Sequence, residues 1–263
     1  ATRWALFAGP THYLSRATAA FFGVGTYVTG LGFETLPFWS LVGIAAVLGA
    51  VLAALVGLAT LRLSGVYFVI FTFGLAELVR QTVSWWEVNI TYTMGRYVFL
   101  PFEGRHIYWQ LLALAAVTFL ISWGIGRSRI GLALKALGDD ETVAAHAGVD
   151  VTRIKLFLFV ISSTIITLVG AIQAPRWTYI EPSIVFNPTV SFMTLIMALL
   201  GGAMRRWGPL VGAVPLFLLF EWLSGRFPDH FSIILGLLFI LIVFVMPNGV
   251  LAKIDDLRKG SRT

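Results

Sequence analysis

The residues that could do chemistry are few, and their placement argues against chemistry done by this chain alone. Its 263 residues include no cysteine, so neither a disulfide framework nor a thiolate metal site is open to it. The four histidines, His12, His106, His146 and His230, lie in polar stretches or beside the ends of apolar runs. None has a second ligand at metal-binding spacing. No GxxxxGKS/T phosphate loop and no HExxH occurs. Every aspartate (139, 140, 150, 229, 255 and 256) falls in a loop or the tail, whereas an ion-coupled carrier keeps a carboxylate within its spans. Glu77 is followed one turn later by Arg80, which reads as a paired interfacial charge rather than a proton relay. The chain is therefore expected to be no enzyme, to bind no metal or cofactor, and to need another subunit for energy if it works actively.

One polar stretch offers a contact point. In Gly138–Asp150, GDDETVAAHAGVD, Asp139 suits an N-cap and Gly148 suits the position just past a helix end. Asp140 and Glu141 favour the positive end of the helix dipole. The predicted helix has about eight residues, roughly 12 Å at 1.5 Å per residue, and is marginal alone in water. Ala144, Ala145 and Ala147 give it a low profile. It is either a plain connector or a coupling helix seated on a cytoplasmic ATPase.

The elements that must position these residues are membrane helices. Hydrophobic residues make up 58% of the chain and charged ones 12%, against about 25% charged in soluble domains. Uncharged runs cover Ala17–Phe33, Leu36–Leu61, Leu63–Ala76, Ile107–Gly126, Leu156–Pro175, Pro182–Met204, Trp207–Phe220 and Phe231–Ala252. A spanning helix needs about 20 apolar residues. The fold expected is an all-α integral membrane protein, a polytopic bundle of about eight apolar segments, the shorter ones broken or re-entrant. It forms one transmembrane domain over residues 1–263. The first nine residues resemble the end of an apolar segment, so an upstream helix is expected to be absent from this sequence.

Orientation follows from the cations. Arg127, Arg129, Lys135, Arg153 and Lys155 crowd the stretch 127–155, and Lys253, Arg258, Lys259 and Arg262 the tail 247–263. Both are placed in the cytoplasm by the positive-inside bias. Alternation then puts 81–106, 175–188 and 224–230 outside, although Arg80, Arg96, Arg105, Arg176 and Arg226 fall on that side. The net charge of +6 sits in loops and tail without a basic–aromatic stripe, which excludes nucleic acid and leaves the bilayer as partner. Ala45, Gly49, Ala53 and Gly57 recur every fourth residue, the spacing that lets another helix approach closely, within this subunit or from a second one. Gly201, Gly202, Gly208 and Pro209 mark a sharp reversal between two apolar segments, with Arg205 and Arg206 inside it. Ser162, Ser163, Thr164 and Thr167 either line a pathway or bond back to their own helix.

Ser128–Ser163, SRIGLALKALGDDETVAAHAGVDVTRIKLFLFVISS, resembles the cytoplasmic loop of the branched-chain amino acid (Liv-type) permeases of bacterial ABC importers. The shared positions are Ser128, Arg129, Gly131, Ala133, Ala136, Glu141, Ala144, Ala145, Gly148, Lys155, Phe159 and Ser162. AAFFGVGTY (19–27), the stretch around GVYF and AELVR (63–80), ALLGGAMRRWGPLVGA (198–213) and VMPNGVLA (245–252) resemble further family segments in the same order. The GVYF, AELVR and MPNGVL segments favour the M-type subunit over its H-type partner.

By that resemblance Asp139, Asp140, Glu141, Ala144, Ala145 and Gly148 form the ATPase-coupling segment. Phe21, Phe22, Tyr27, Tyr67, Ser162 and Ser163 are candidates for the substrate pathway. The resemblance implies a second homologous permease subunit, two cytoplasmic ATPase subunits carrying ATP and Mg, a periplasmic solute-binding protein, and a place in the bacterial inner membrane. The alternative is a self-sufficient secondary carrier or passive facilitator. The solute expected is a branched-chain amino acid, with urea, short amides and aromatic acids as alternatives. Three departures stand out: Tyr13 and Arg16 in the entry segment, Tyr92 where the family has a glycine, and Arg205–Arg206 before WGP.

Overall fold

The computed structural model describes residues 17–60, 66–93, 95–98, 104–139, 141–202, 208–227, 230, 233–238 and 240. The entry segment with Tyr13 and Arg16, the Arg205–Arg206 pair with Trp207, and the tail lie outside these residues. The described chain is almost wholly helical: α1 (Thr18–Gly32), α2 (Phe38–Thr60), α3 (Val66–Trp86), α4 (Gly104–Arg127), α5 (Arg129–Asp139), α6 (Glu141–His146), α7 (Val151–Gln173), α8 (Pro182–Val185), α9 (Pro188–Gly201) and α10 (Gly208–Arg226). Two two-residue strands, β1 (Arg96–Tyr97) and β2 (Tyr179–Ile180), pair antiparallel, Arg96 opposite Ile180 and Tyr97 opposite Tyr179.

Among the described residues four helical stretches are long and apolar enough to cross a bilayer: Phe38–Thr60, Gly104–Arg127, Val151–Arg176 and Pro182–Gly201. The all-α membrane expectation stands on these four. The count of about eight segments is not confirmed: among the described residues α1, at 15 residues, is short for a full crossing, and the run 231–252 lies largely outside them. Exposed Val47, Val51, Leu55 and Leu58 on α2 and Tyr108, Leu112 and Leu120 on α4 would be costly in water and are at home in lipid.

The chain divides into two compact units, residues 11–191 and residues 192–263 together with 1–10. In the larger unit α7 is the axis, packed against both α1 and α2. Small residues set that packing. A Cβ on Gly25 would run into the Thr167 carbonyl, and one on Gly170 into the Phe22 carbonyl. A Cβ on Gly49 would strike the Thr167 side chain, and Ala45 and Ala53 have no exposed surface. The four-residue stripe of α2 thus packs within the subunit. Phe38, Ile107 and Ile172 join α2, α4 and α7 in a second apolar contact.

The helix termini gather at two ends of this unit. One end carries the β1–β2 pair and a π-helical turn, Glu87–Thr91, that continues α3. The other carries α5 and α6. In the smaller unit Ile196, Leu216, Phe220 and Leu235 form the core, and α9 and α10 meet backbone to backbone. A Cβ on Gly201 would collide with the Gly208 carbonyl, and one on Gly212 with the Met197 carbonyl. Gly202 follows α9 at φ +96°, a conformation that favours glycine, and the rest of the expected reversal, 203–207, lies outside the described residues.

Candidate functional site

The α5–α6 end is built from local hydrogen bonds. Ser128 separates α4 from α5: its hydroxyl donates to the Ile125 carbonyl at 2.7 Å, and its own carbonyl accepts from Gly131 N–H at 3.0 Å. A Cβ on Gly131 would lie 2.5 Å from the Ile125 carbonyl oxygen, so a side chain would not fit there. Arg127 lies over the Trp123 ring, 4.0 Å from its centroid, which holds the cation at the end of α4. Buried Leu134 and Leu137 carry α5 onward in helical register through Asp139. Asp139 is therefore the last helical residue of α5 and not the N-cap of α6, a correction to the sequence reading.

Helix α6 is shorter than expected, six residues, and ends as its sequence requires. Gly148 sits at φ +83°, its N–H bonded to the Ala145 carbonyl at 3.0 Å, and Val149 N–H to the Ala144 carbonyl at 3.1 Å. Those two bonds form a Schellman cap. The alanines divide: Ala144 is fully buried, while Ala145 and Ala147 face outward beside exposed Val143. Asp150 then caps α7, accepting from Arg153 N–H at 3.1 Å and pairing with the Arg153 guanidinium at 2.9 Å. Asp140 and the side chains of Asp139 and Glu141 lie outside the described residues.

The pathway candidates separate as well. Phe21 stacks edge-on to Phe159 at 5.9 Å, and Phe159 meets Phe68 at 6.4 Å, so Phe21 is core between α1, α3 and α7. Phe22 is nearly buried beside Gly170, whereas Tyr67 points outward, 73% exposed. Ser162 donates to the Phe159 carbonyl (3.1 Å), Thr164 to that of Val160 (2.8 Å) and Thr167 to that of Ser163 (3.0 Å). These hydroxyls are back-bonded to their own helix. Ser163 Oγ is buried without a hydrogen bond.

Tyr27 is the candidate that leads to a polar site. Its ring packs on Phe186, centroids 5.5 Å apart, and its hydroxyl is buried at the β1–β2 end. There it lies within electrostatic reach of Glu87, Glu181 and Arg96. Glu87 is 1% exposed and tightly held. Its carbonyl accepts from Thr91 Oγ1 (2.8 Å), Thr93 N–H (3.1 Å) and Tyr92 N–H, and its Oε2 accepts from Gly95 N–H at 3.2 Å. Tyr92 and Gly95 both take positive φ, 52° and 73°, to wrap the chain around this carboxylate. Glu87 escaped the sequence reading because an isolated glutamate after a helix looks like a surface charge. The signal available was its apolar surround, SWWEVNI. Glu77, by contrast, pairs with Arg80 (Nε to Oε2, 2.9 Å) and accepts from Gln81 (2.9 Å), as the spacing suggests.

Comparison with known proteins accords with this architecture. Residues 4–243 match the family model described as branched-chain amino acid transport system / permease component. The high-affinity branched-chain amino acid transport system permease protein LivM of Escherichia coli is 28% identical over 88% of this chain and 62% of its own length. LivH of the same organism is 28% identical over 54% of this chain and 44% of its own. BraD of Pseudomonas aeruginosa is 26% identical over 60% and 53%. The chain thus spans less than two thirds of the length of these relatives. No solved structure matches. The chain belongs to the family of branched-chain amino acid transport system permease components.

Proposed function

We propose that the chain is the M-type transmembrane subunit of a binding-protein-dependent ABC importer in the bacterial inner membrane. It lines the pathway for a small polar or amphiphilic organic solute of the branched-chain amino acid type, urea, short amides and aromatic acids being chemically close alternatives. A second homologous permease completes the pathway, two cytoplasmic ATPases that bind ATP and Mg supply energy, and a periplasmic protein delivers the solute. The α5–α6 end faces the cytoplasm and the β1–β2 end the periplasm, in keeping with the cations of 127–155. The LivM match extends over more of the chain than the LivH match, which favours the M-type reading.

The observation that carries coupling is the division of the α6 alanines. Ala144 anchors the helix inside the subunit, and the outward residues, Ala145 on one flank and Val143 with Ala147 on the other, leave a shallow, uncharged surface around it. A short helix docked on its own chain and presenting such a face can transmit the ATPase's movement to the helix bundle. Ala145→Arg tests this. Solute-stimulated ATP hydrolysis and uptake should fall while the amount of subunit in the membrane is unchanged. Uptake at the wild-type rate in Ala145→Arg would sink the coupling assignment, and uptake in cells with an inactive ATPase partner would indicate a carrier or facilitator.

A further inference from the structure

The Tyr27–Glu87–Arg96 cluster is left electrostatically open. Glu87 Oε1 and Arg96 Nε are 4.0 Å apart, beyond hydrogen-bond length, and neither atom finds a hydrogen-bond partner among the described residues. The Tyr27 hydroxyl faces the same carboxylate without closing a bond of ordinary geometry. Three buried polar atoms from three elements therefore converge without a hydrogen bond of ordinary geometry among the described residues. Unmet buried groups are costly, a carboxylate most of all. A purely structural carboxylate would have both oxygens satisfied. Here the Gly95 N–H fixes Oε2, while Oε1 lies 4.0 Å from Arg96 Nε. A π-helical turn at this point fits such use, since these turns recur at functional sites.

We propose that Tyr27, Glu87 and Arg96 form a recognition point for a net-neutral solute head carrying an N–H donor beside an oxygen acceptor, as in an amide, a ureido group or a zwitterionic amino acid. The chemistry follows from the three atoms. Glu87 Oε1 accepts the N–H, Arg96 Nε donates to the solute oxygen, and the Tyr27 hydroxyl can do either. The two charges cancel, so a neutral head enters without net repulsion. A lone anion can satisfy Arg96 but leaves the Glu87 oxygen unmet, and a lone cation can satisfy Glu87 but leaves Arg96 unmet. The Trp86 ring, 5.8 Å from the Arg96 guanidinium carbon, steadies the cation. This site rests on the importer reading, which makes the β1–β2 end the side of entry.

The test uses the full chain with its copurifying subunits in nanodiscs, and saturation-transfer NMR with acetamide, urea and L-leucine at millimolar concentration. Isovalerate and isobutylamine serve as singly charged controls. All three neutral probes should bind the wild type better than the controls do. Binding should weaken about tenfold or more in Tyr27→Phe, which removes the hydroxyl and keeps the ring, and in Glu87→Gln. Absence of binding to the wild type, equal binding of the charged controls, or unaltered binding in both variants would overturn the site. The importer reading fails separately: uptake that persists with an inactive ATPase partner removes it while leaving probe binding intact.

Discussion

Gly25 of α1 lies against the backbone carbonyl of Thr167 in α7 so closely that a Cβ would overlap it, and three residues along the same helix Gly170 repeats the arrangement against Phe22. Both partners are rigid backbone, so neither contact can relax by turning a side chain. Gly25→Val and Gly170→Val should each lower thermal stability in detergent by about 3 kcal/mol or block accumulation of the subunit. Gly43→Ala and Gly124→Ala, where nothing lies within 4 Å, should be neutral or slightly stabilising in the same assay.

The stripe on α2 gives a second contrast. Gly49→Leu and Ala53→Leu place four-carbon side chains into the Thr167 side of α7 and should cost about 1–3 kcal/mol each. Val51→Leu on the exposed face should be tolerated. Equal melting temperatures for all three variants would show that the spacing is incidental.

Tyr92 holds a left-handed conformation that costs a non-glycine residue about 1–2 kcal/mol. Replacing it with glycine should leave folding intact or raise the melting temperature slightly. Gly95→Ala should do the opposite. Its φ is +73°, and a Cβ would come within 2.5 Å of the Tyr179 ring.

The absence of native cysteine allows a clean test of orientation. Tyr92→Cys, on the exposed β1–β2 end, should react with a membrane-impermeant thiol reagent in intact spheroplasts. Ala145→Cys should react only in inside-out vesicles, and Ala144→Cys, fully buried, in neither until the protein is denatured. Labelling of Ala145→Cys from the periplasmic side would invert the proposed topology.

Much of the helical framework was legible because it depends on local properties. Apolar runs located α1, α2, α4 and α7 to within a few residues, and Gly148 announced the end of α6 through its need for positive φ. The small-residue stripe was visible, but its partner was not, since spacing alone cannot say which helix approaches. Asp139 was misplaced because a good N-cap side chain is outweighed when buried Leu134 and Leu137 keep the preceding helix in register. The serine and threonine hydroxyls of α7 could be read either way, and geometry resolved Ser162, Thr164 and Thr167 in favour of back-bonding. Glu87 and Arg96 lie nine residues apart and meet only because the chain turns twice through positive φ, at Tyr92 and Gly95. Tertiary closure of that kind leaves little trace in a one-dimensional pattern.

The anchoring of Ala144 has a mechanical corollary. A helix held by its inner face to α5 and α7 cannot be pressed without loading them. Helix α7, at 23 residues, spans roughly 34 Å; α1 grips it through backbone contacts and α2 through the Thr167 side chain. In the proposed importer it would serve as a strut, carrying a tilt imposed beside Asp150 to Gln173, a few residues from the strand that pairs with Arg96. Bulky side chains along α1 and α2 would have cushioned that motion, and the glycines keep the linkage stiff.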